Sequence, residues 1–511
     1  MTALAPDSIV AVIGAGTMGA GIALVAARAG HQVLLHDASP AAIERGIAGV
    51  ARILEGQVAK GKLTAEERDA QIGRIQAADT IEKLAPAALV IEAIVENIDV
   101  KAKLLAAVEA IVNDHAVITS NTSSLSITAL AARLARPARV AGMHFFNPAP
   151  VLPLVEVVAG YATDQAVLDL IASTALAWGK VPVRCSSTPG FIVNRVARPF
   201  YGEAWRLLSE GAADAATIDA VVTEAGGFRM GPFALMDMIG HDVNFAVTRS
   251  VYEAMFHDPR YRPSLAQQQL VDAGWLGRKS GRGVFDYRGD ADQPDPSSAE
   301  AGQPPAAVVV EGDLGPAHPM VDLMREANLH VETKHRAIGG VGGRICLDGA
   351  SLVLTDGRTA TQRAVGEGGP VICFDLCRDW RTASRIAIAA SDDCPAGAIS
   401  AAAGLFQRLG KTVSIIQDSP GLITFRTLAM IINEAADTLH QGVASASDID
   451  LSMTKGVNYP QGPFAWCDEI GADHVAAVMG NLAAAYNEDR YRPSLLLTRA
   501  ALTNKRFLNP A

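Results

Sequence analysis

An apolar run, SIVAVI at 8–13, passes directly into GAGTMGAG and then into IALVAARAG, a helical stretch that ends at Gly30. A strand that turns into a helix across three glycines at this spacing has few folds open to it. Gly14 permits the tight turn, Gly16 lets backbone approach a pyrophosphate, and Gly19 lets helix and strand pack closely. The amides at the helix start, around Thr17 and Met18, then face phosphates. Glycine-rich turns are common, so the motif needs its context. Here HQVLLHD forms the next strand, and Asp37 stands 18 residues after Gly19 (37 − 19). An acidic side chain there suits a ribose 2′-hydroxyl and repels a 2′-phosphate, and no arginine directly follows it. Its structural alternative is a turn or cap residue. The prediction is an N-terminal Rossmann domain over 1–187 that takes NAD rather than NADP.

Further along, an amphipathic segment at 40–76 carries Lys60 and Lys62, the basic candidates for an anionic substrate tail, against a plain reading as solvated helix-end charges. Strand ALVIEAIVE (88–96), helix DVKAKLLAAVEAIV (99–112) and strand AVITS (116–120) follow, and the last runs into NTSSLSI. Open α/β sheets bind ligands just past the carboxyl ends of their strands. That places Glu96, Lys101, Asn121 and Ser123 at a crevice, with an N-cap role for Asn121 to Ser124 as the alternative. Next comes AGMHFFNPAPVLPLVEVV at 141–158: a strand, a proline-bracketed loop and a second strand. Strands joined this closely can lie side by side and bring Glu156 to His144. A carboxylate on one imidazole nitrogen fixes the tautomer and makes the other nitrogen a better base. A satisfied core histidine beside an edge glutamate is the bland reading of such a pair.

The 511 residues, with net charge −10, 49% hydrophobic and 19% charged, point to several globular domains and away from nucleic acid as a partner. Six cysteines form no CxxC pair, so buried thiols, no metal site and a reducing, cytoplasmic compartment are expected. No apolar run approaches a membrane span, and the N-terminus lacks the pattern of a signal peptide.

Taken in order, IGAGTMGAGIA, IEAIVENIDVKAKL, SNTSSLSI, GMHFFNPAPVLPLVEV and TPGFIVNR closely resemble the L-3-hydroxyacyl-CoA dehydrogenases, from the first strand to about Tyr287. The resemblance implies His144 as catalytic histidine with Glu156 as its partner, and Ser123 and Asn194 as contacts to substrate oxygen. It implies cofactor roles for Asp37, Glu96, Lys101, Asn121 and Lys279, and it likens the lysine-bearing helix to the part that meets coenzyme A. NAD⁺ would be the oxidant and an acyl-CoA the substrate. The length and tandem helical domain look most like the phenylacetate-catabolism branch, which acts on 3-hydroxyadipyl-CoA. A 3-hydroxybutyryl-CoA dehydrogenase, a related dehydrogenase of a free hydroxy or sugar acid, and a non-enzymatic NAD-binding scaffold are the rivals.

After strand VPVRC (181–185), Pro189–Gly190 opens a mostly helical domain over 188–287, and the proline-rich stretch 288–305 reads as a linker. Beyond it the chain repeats. PG at 189, GK at 179 and GPF at 231 recur at 420, 410 and 462, each 231 residues on, while YRPS at 261 returns at 491. A reduced α/β unit is expected over 306–418, with strands LVLT, VICFDL, RIAIA and TVSII and a helix around 395–409, followed by a second helical copy over 419–511. It lacks a strand-borne GxGxxG and a His–Glu pair, and Phe425 stands at the equivalent of Asn194 (194 + 231). The second half therefore reads as structural, its helical copy packing on the first as an internal pseudo-dimer. Further association of whole chains stays open.

Overall fold

A computed structural model describes residues 2–289, 291–335 and 342–508. The chain divides into two compact units, Met1–Arg195 with Gln441–Val457 and Val196–His440 with Asn458–Ala511.

The first unit begins β1 (Ile9–Ile13), α1 (Thr17–Arg28), β2 (Val33–His36), α2 (Pro40–Ala59), α3 (Ala65–Gly73), β3 (Ile75–Ala78) and β4 (Ala87–Glu92). It continues with α4 (Ile98–Glu109), β5 (Val117–Ser120), α5 (Ile127–Ala131), β6 (Val140–Phe145) and β7 (Leu154–Ala159). Then come α6 (Gln165–Ala177), β8 (Val181–Ser186) and the single turn α7 (Val193–Val196). The sheet order is β3-β2-β1-β4-β5-β6-β7-β8, parallel except where β6 meets β7. Helices cover both faces, which is why the strands are apolar runs rather than alternating ones. Val10, Val12, Ile22 and Leu24 pack on one face, and Ala11, Ile13, Leu105 and Ile118 on the other. The strand order reverses between β1 and β4, which opens the crevice at their carboxyl ends.

The second unit starts with α8 (Arg198–Ser209), α9 (Ala215–Glu224), α10 (Pro232–Ile239), α11 (His241–Ala254) and α12 (Leu265–Asp272). Its α/β part holds β9 (Ala307–Glu311), α13 (Met320–Glu326), β10 (His330–Lys334), β11 (Arg344–Leu347), β12 (Ala350–Leu354) and α14 (Ala360–Glu367). β13 (Val371–Phe374), β14 (Arg385–Ala390), α15 (Ala396–Arg408) and β15 (Thr412–Ile415) complete it. The long α16 (Thr424–His440) follows. α17 (Ala446–Gly456) belongs to the first unit, and α18 (Pro463–Ile470), α19 (Ala472–Tyr486) and α20 (Leu495–Thr503) return to the second. The second sheet has seven described strands, β10-β9-β11-β12-β13-β14-β15, so β9, β10 and β11 add to the four expected. β10 (HVETK) is largely exposed and β11 (RICL) is a four-residue strand with a charged end, so neither has a long apolar run. β9 (AVVVE) does have one, which sequence reasoning passed over beside the proline-rich stretch.

The stretch read as a linker is docked rather than free. Ala299 N donates to Val413 O at 2.7 Å, and Ser297 N to the Thr217 hydroxyl at 2.8 Å. Inside the second unit α8 packs along α16, and buried Arg426 bridges to Glu203 at 2.7 Å and Glu210 at 2.9 Å. The repeat also exchanges a helix. In the first unit α17 lies on β7 and β8, where a Cβ on Gly456 would come within 2.6 Å of Leu154. In the second unit α9, its equivalent (215 + 231 = 446), lies on β14, with Arg385 3.2 Å from Glu224.

Candidate active site

The glycine turn behaves as its spacing requires. Gly14 has φ +102°, and a Cβ there would stand 2.5 Å from Ala93 O. A Cβ on Gly19 would reach 1.7 Å from Gly14 O, so helix and turn can close only over a glycine. Around Gly16 nothing lies within 4 Å of a Cβ, and no side chain caps α1. Open space before uncapped helix amides is what an approaching pyrophosphate needs. Thr17 is exposed and Met18 partly so. Asp37, just past β2, accepts from Ala15 N and Ser39 N, each at 2.9 Å. It thus braces the turn as well as ending the strand, and two of its roughly four acceptor positions are left for a ribose. The residues present fit a dinucleotide.

His144 and Glu156 are cross-strand partners of the β6–β7 pair, and Nδ1 lies 2.7 Å from Glu156 Oε2. Both residues are buried. The other oxygen, Oε1, accepts from Ile192 N at 3.0 Å and Val193 N at 2.9 Å. One carboxylate therefore orients the imidazole and pins the turn that carries Asn194 on α7. Because a carboxylate only accepts, Nδ1 carries the proton and Nε2 presents its lone pair in the neutral ring. Phe146 and Phe191 flank the imidazole, with centroids 4.6 and 5.9 Å away. Asn121 Oδ1 accepts from Phe145 N at 2.7 Å and so ties the end of β5 to the histidine strand.

Glu96 gathers the next loop: its Oε1 accepts from Thr122 Oγ1, Ser123 N, Ser124 N and Ser124 Oγ at 2.5 to 3.1 Å. Burial works to raise this carboxyl, but the bonds from Thr122 and Ser124 and the charge of Lys101 outweigh it and hold it below the usual carboxylate range. Ser123 is fixed through its backbone, and its hydroxyl takes no part in that network. Lys101 is buried; its Nζ lies 2.6 Å from Glu92 Oε1, 3.2 Å from Ile94 O and 3.3 Å from Glu96. Glu92, which sequence reasoning passed over, also accepts from Ser120 Oγ at 2.6 Å. Only its place at the end of an apolar strand marks it. The N-cap of α5 is Ser126 rather than the Asn121–Ser124 cluster, because Ser126 Oγ is the acceptor for Ala129 N.

Lys60 and Lys62 are exposed at the turn between α2 and α3. Two cations the sequence reading missed, Arg45 and Arg52, are seven residues apart on α2 and so share a face. With Gly16, Thr17 and Pro148 they line a cleft of about 390 Å³. In the second unit Lys279 pairs with Asp242 at 2.5 Å. Among the described residues no group of three or more His, Cys, Asp or Glu is placed to hold a metal, and all six cysteines are free thiols.

The second sheet replaces the dyad. Its β13–β14 pair is antiparallel like β6–β7, and Asp375 N donates to Ala387 O at 2.9 Å, which puts Asp375 where His144 stands and Ala387 where Glu156 stands. Asp375 accepts from Ile423, Thr424 and Phe425 N at 2.6 to 3.0 Å, so a carboxylate still pins the helix start without a base beside it. Burial pushes its carboxyl up to about 6 against those bonds.

Comparison with known proteins agrees with this architecture throughout. Residues 9–188 match the model described as 3-hydroxyacyl-CoA dehydrogenase, NAD binding domain, and 190–287 and 421–506 each match its C-terminal domain. Residues 352–420 match the 3-hydroxybutyryl-CoA dehydrogenase reduced Rossmann-fold domain. The chain is 46% identical to the 3-hydroxyadipyl-CoA dehydrogenase of Escherichia coli K12 over 96% of its own length and 97% of that protein. It is 43% identical to a probable 3-hydroxybutyryl-CoA dehydrogenase of Bacillus subtilis, covering 54% of this chain and 96% of the relative. A crystal structure of 3-hydroxybutyryl-CoA dehydrogenase from Escherichia coli K12 superposes with TM-score 0.88 and 45% identity over 97% of this chain and 98% of that one. Glycine turn, buried dyad and tandem helical copies together place the chain in the 3-hydroxyacyl-CoA dehydrogenase family, to which it belongs.

Proposed function

We propose that His144 is the general base of a reversible oxidation of an L-3-hydroxyacyl-CoA, with 3-hydroxyadipyl-CoA as the substrate. The observation that carries this reading is the divided grip of Glu156, one oxygen on His144 Nδ1 at 2.7 Å and the other on the amides before Asn194. Nε2 takes the 3-hydroxyl proton, and the buried carboxylate stabilises the imidazolium that results. Ser123 and Asn194 hold the substrate oxygens. NAD⁺, when bound, accepts the hydride from C3. The Gly14–Gly19 turn and the α1 amides hold its pyrophosphate, Asp37 the ribose, and Asn121 and Glu96 shape the floor of the crevice with Lys101 behind them. Lys279 is a further cofactor contact supported by the resemblance alone. Arg45 and Arg52, with Lys60 and Lys62, supply the positive charge for the phosphates of coenzyme A.

The full-length relative named for 3-hydroxyadipyl-CoA supports the dicarboxylic substrate. The crystal structure with the same tandem architecture bears the 3-hydroxybutyryl name, which supports the second reading. NADH formation across a series of 3-hydroxyacyl-CoA thioesters, one of them a six-carbon dicarboxylic acyl, separates them. The highest kcat/KM should fall on the dicarboxylic thioester, and a higher value for the four-carbon one would install the rival. The free acids should give no turnover; activity on them would point to a dehydrogenase that does not use coenzyme A. We place the enzyme in the cytoplasm, a reading supported by its free thiols. Among the described residues no helix is long and apolar enough to cross a membrane. We further propose that the two helical copies act as an internal pseudo-dimer, a reading supported by the buried Arg426–Glu203 and Arg260–Glu434 pairs between α8, α16 and their loops.

A further inference from the structure

Within the buried charge cluster where α8 meets α16, the 231-residue repeat reverses sign at one position. Glu203 on α8 corresponds to Glu434 on α16, but Arg206 corresponds to Asp437 (206 + 231). The RYRPS loops, one residue short of that register, bring Arg260 to the second pair and Arg490 to the first (260 + 230 = 490). The consequences differ. Arg260 has both acids: its Nη1 lies 3.2 Å from Glu434 and closer still to Asp437, and its Nη2 donates to Arg492 O at 2.9 Å. Arg490 finds a cation where the second acid would be. Its nearest carboxylates, Glu203 and Glu488, stand 3.9 Å off, beyond hydrogen-bond reach. Its Nε has no partner, as is also true of Arg260, so the difference between the two lies in the acids that meet the Arg260 Nη1. Glu203 is already committed to Arg426 at 2.7 Å and to the Tyr491 hydroxyl at 2.9 Å, while Arg206 spends one nitrogen on Glu488 at 2.9 Å.

Arg490 is only 4% exposed, so its guanidinium is nearly enclosed, and what it lines is a cleft of about 410 Å³. Five arginines line that cleft (Arg198, Arg206, Arg260, Arg262 and Arg490) against one carboxylate, Glu210, which Arg426 engages. A buried guanidinium is costly unless its donors are met by an acceptor, preferably an anion. Planar forked donors match carboxylate and phosphate oxygens two at a time. Burial lowers the pKa of Arg490, with the charge of Glu203 opposing and that of Arg206 adding to the effect, as expected where countercharge is short. We propose that this cleft in the second unit binds a small oxyanion, a phosphate or carboxylate group held by Arg490 and Arg206.

The full-length protein is titrated calorimetrically with inorganic phosphate and, separately, with succinate, against chloride at matched ionic strength. Saturable binding near one equivalent per chain, with a rise in Tm, is expected for at least one probe, and the stronger of the two names the source of the oxyanion. Arg206→Asp places in the first copy the acid that Asp437 supplies in the second, so it should leave the fold intact and weaken binding at least tenfold. Arg490→Gln should do the same by removing the ligand. Binding absent from the parent protein, or unchanged in Arg206→Asp, would overturn the site and show that water or the distant glutamates satisfy Arg490.

Discussion

Glu156→Gln is the substitution that asks most of the site, because an amide cannot do both things the carboxylate does. Oε1 takes two backbone amides and Oε2 takes the imidazole at 2.7 Å. If the glutamine oxygen stays on Ile192 and Val193, its NH₂ meets Nδ1, and the ring must move its proton to Nε2. The base then has no lone pair for the substrate. If the amide turns over, two donors confront the two backbone amides. In a fully buried position either arrangement leaves a group unsatisfied, which costs about 1–3 kcal/mol of stability. The catalytic loss is larger. A wrong tautomer and an uncompensated imidazolium should lower kcat by roughly 10²–10⁴-fold, about 3–5 kcal/mol of barrier. Initial rates of NADH formation measure it, with NAD⁺ binding followed by fluorescence as the control, which should change little. A kcat within a few-fold of the parent would mean that the histidine needs no carboxylate, and the argument from the dyad would fail.

Other consequences are equally concrete. Asp37 close to a 2′-phosphate puts like charges together at a cost of several kcal/mol, so kcat/KM should favour NAD⁺ over NADP⁺ by at least about 10²-fold; comparable efficiencies would remove the ribose assignment. Lys101→Met leaves Glu92 buried without its cation and should destabilise by about 3–5 kcal/mol in denaturant unfolding. Burial pushes Asp219 up to about 7, with the amides of Phe233 and Ala234 pulling the other way. A carboxyl whose folded pKa is raised contributes stability that is present below about pH 4 and lost as pH climbs through 7. Relative to Asp219→Asn, the parent should lose on the order of 3–4 kcal/mol across that range, and a difference independent of pH would refute the assignment. Truncation after Tyr287 should give a fragment that self-associates in light scattering, since it loses α16 from along α8 and α17 from the edge of the first sheet; a soluble, active monomer would refute the pseudo-dimer.

What could be read from sequence was local. The Gly14–Gly19 turn is legible because a Cβ at Gly19 would strike Gly14 itself. His144 and Glu156 are legible as neighbours because only eight residues (146–153) separate the two strands that carry them, and those strands pair in register. The repeat is legible because its glycines and prolines recur at one offset. What stayed hidden depends on distant chain. Nothing near Glu92 announces that a lysine nine residues on will be buried against it. Asp375 takes over the helix-pinning task of Glu156 from the neighbouring strand, which no spacing rule would find. The exchange of α9 and α17 between sheets is invisible because amphipathic helices show that they pack, not on what. The segment around 297–303 has the composition of a flexible tether, yet its backbone bonds to Thr217, Val413 and Gln407. Composition reports what a segment can do alone, and tertiary partners decide the rest.

The most direct test of the account is the turnover of His144→Ala with a 3-hydroxyacyl-CoA and saturating NAD⁺. The removed imidazole is the one group held by Glu156 with its second nitrogen left to act as a base. The account predicts a kcat lower by about 10²–10⁴-fold with NAD⁺ affinity essentially unchanged, the signature of a lost general base. A variant that turns over near the parent rate would contradict it, and His144 would then be a buried structural residue.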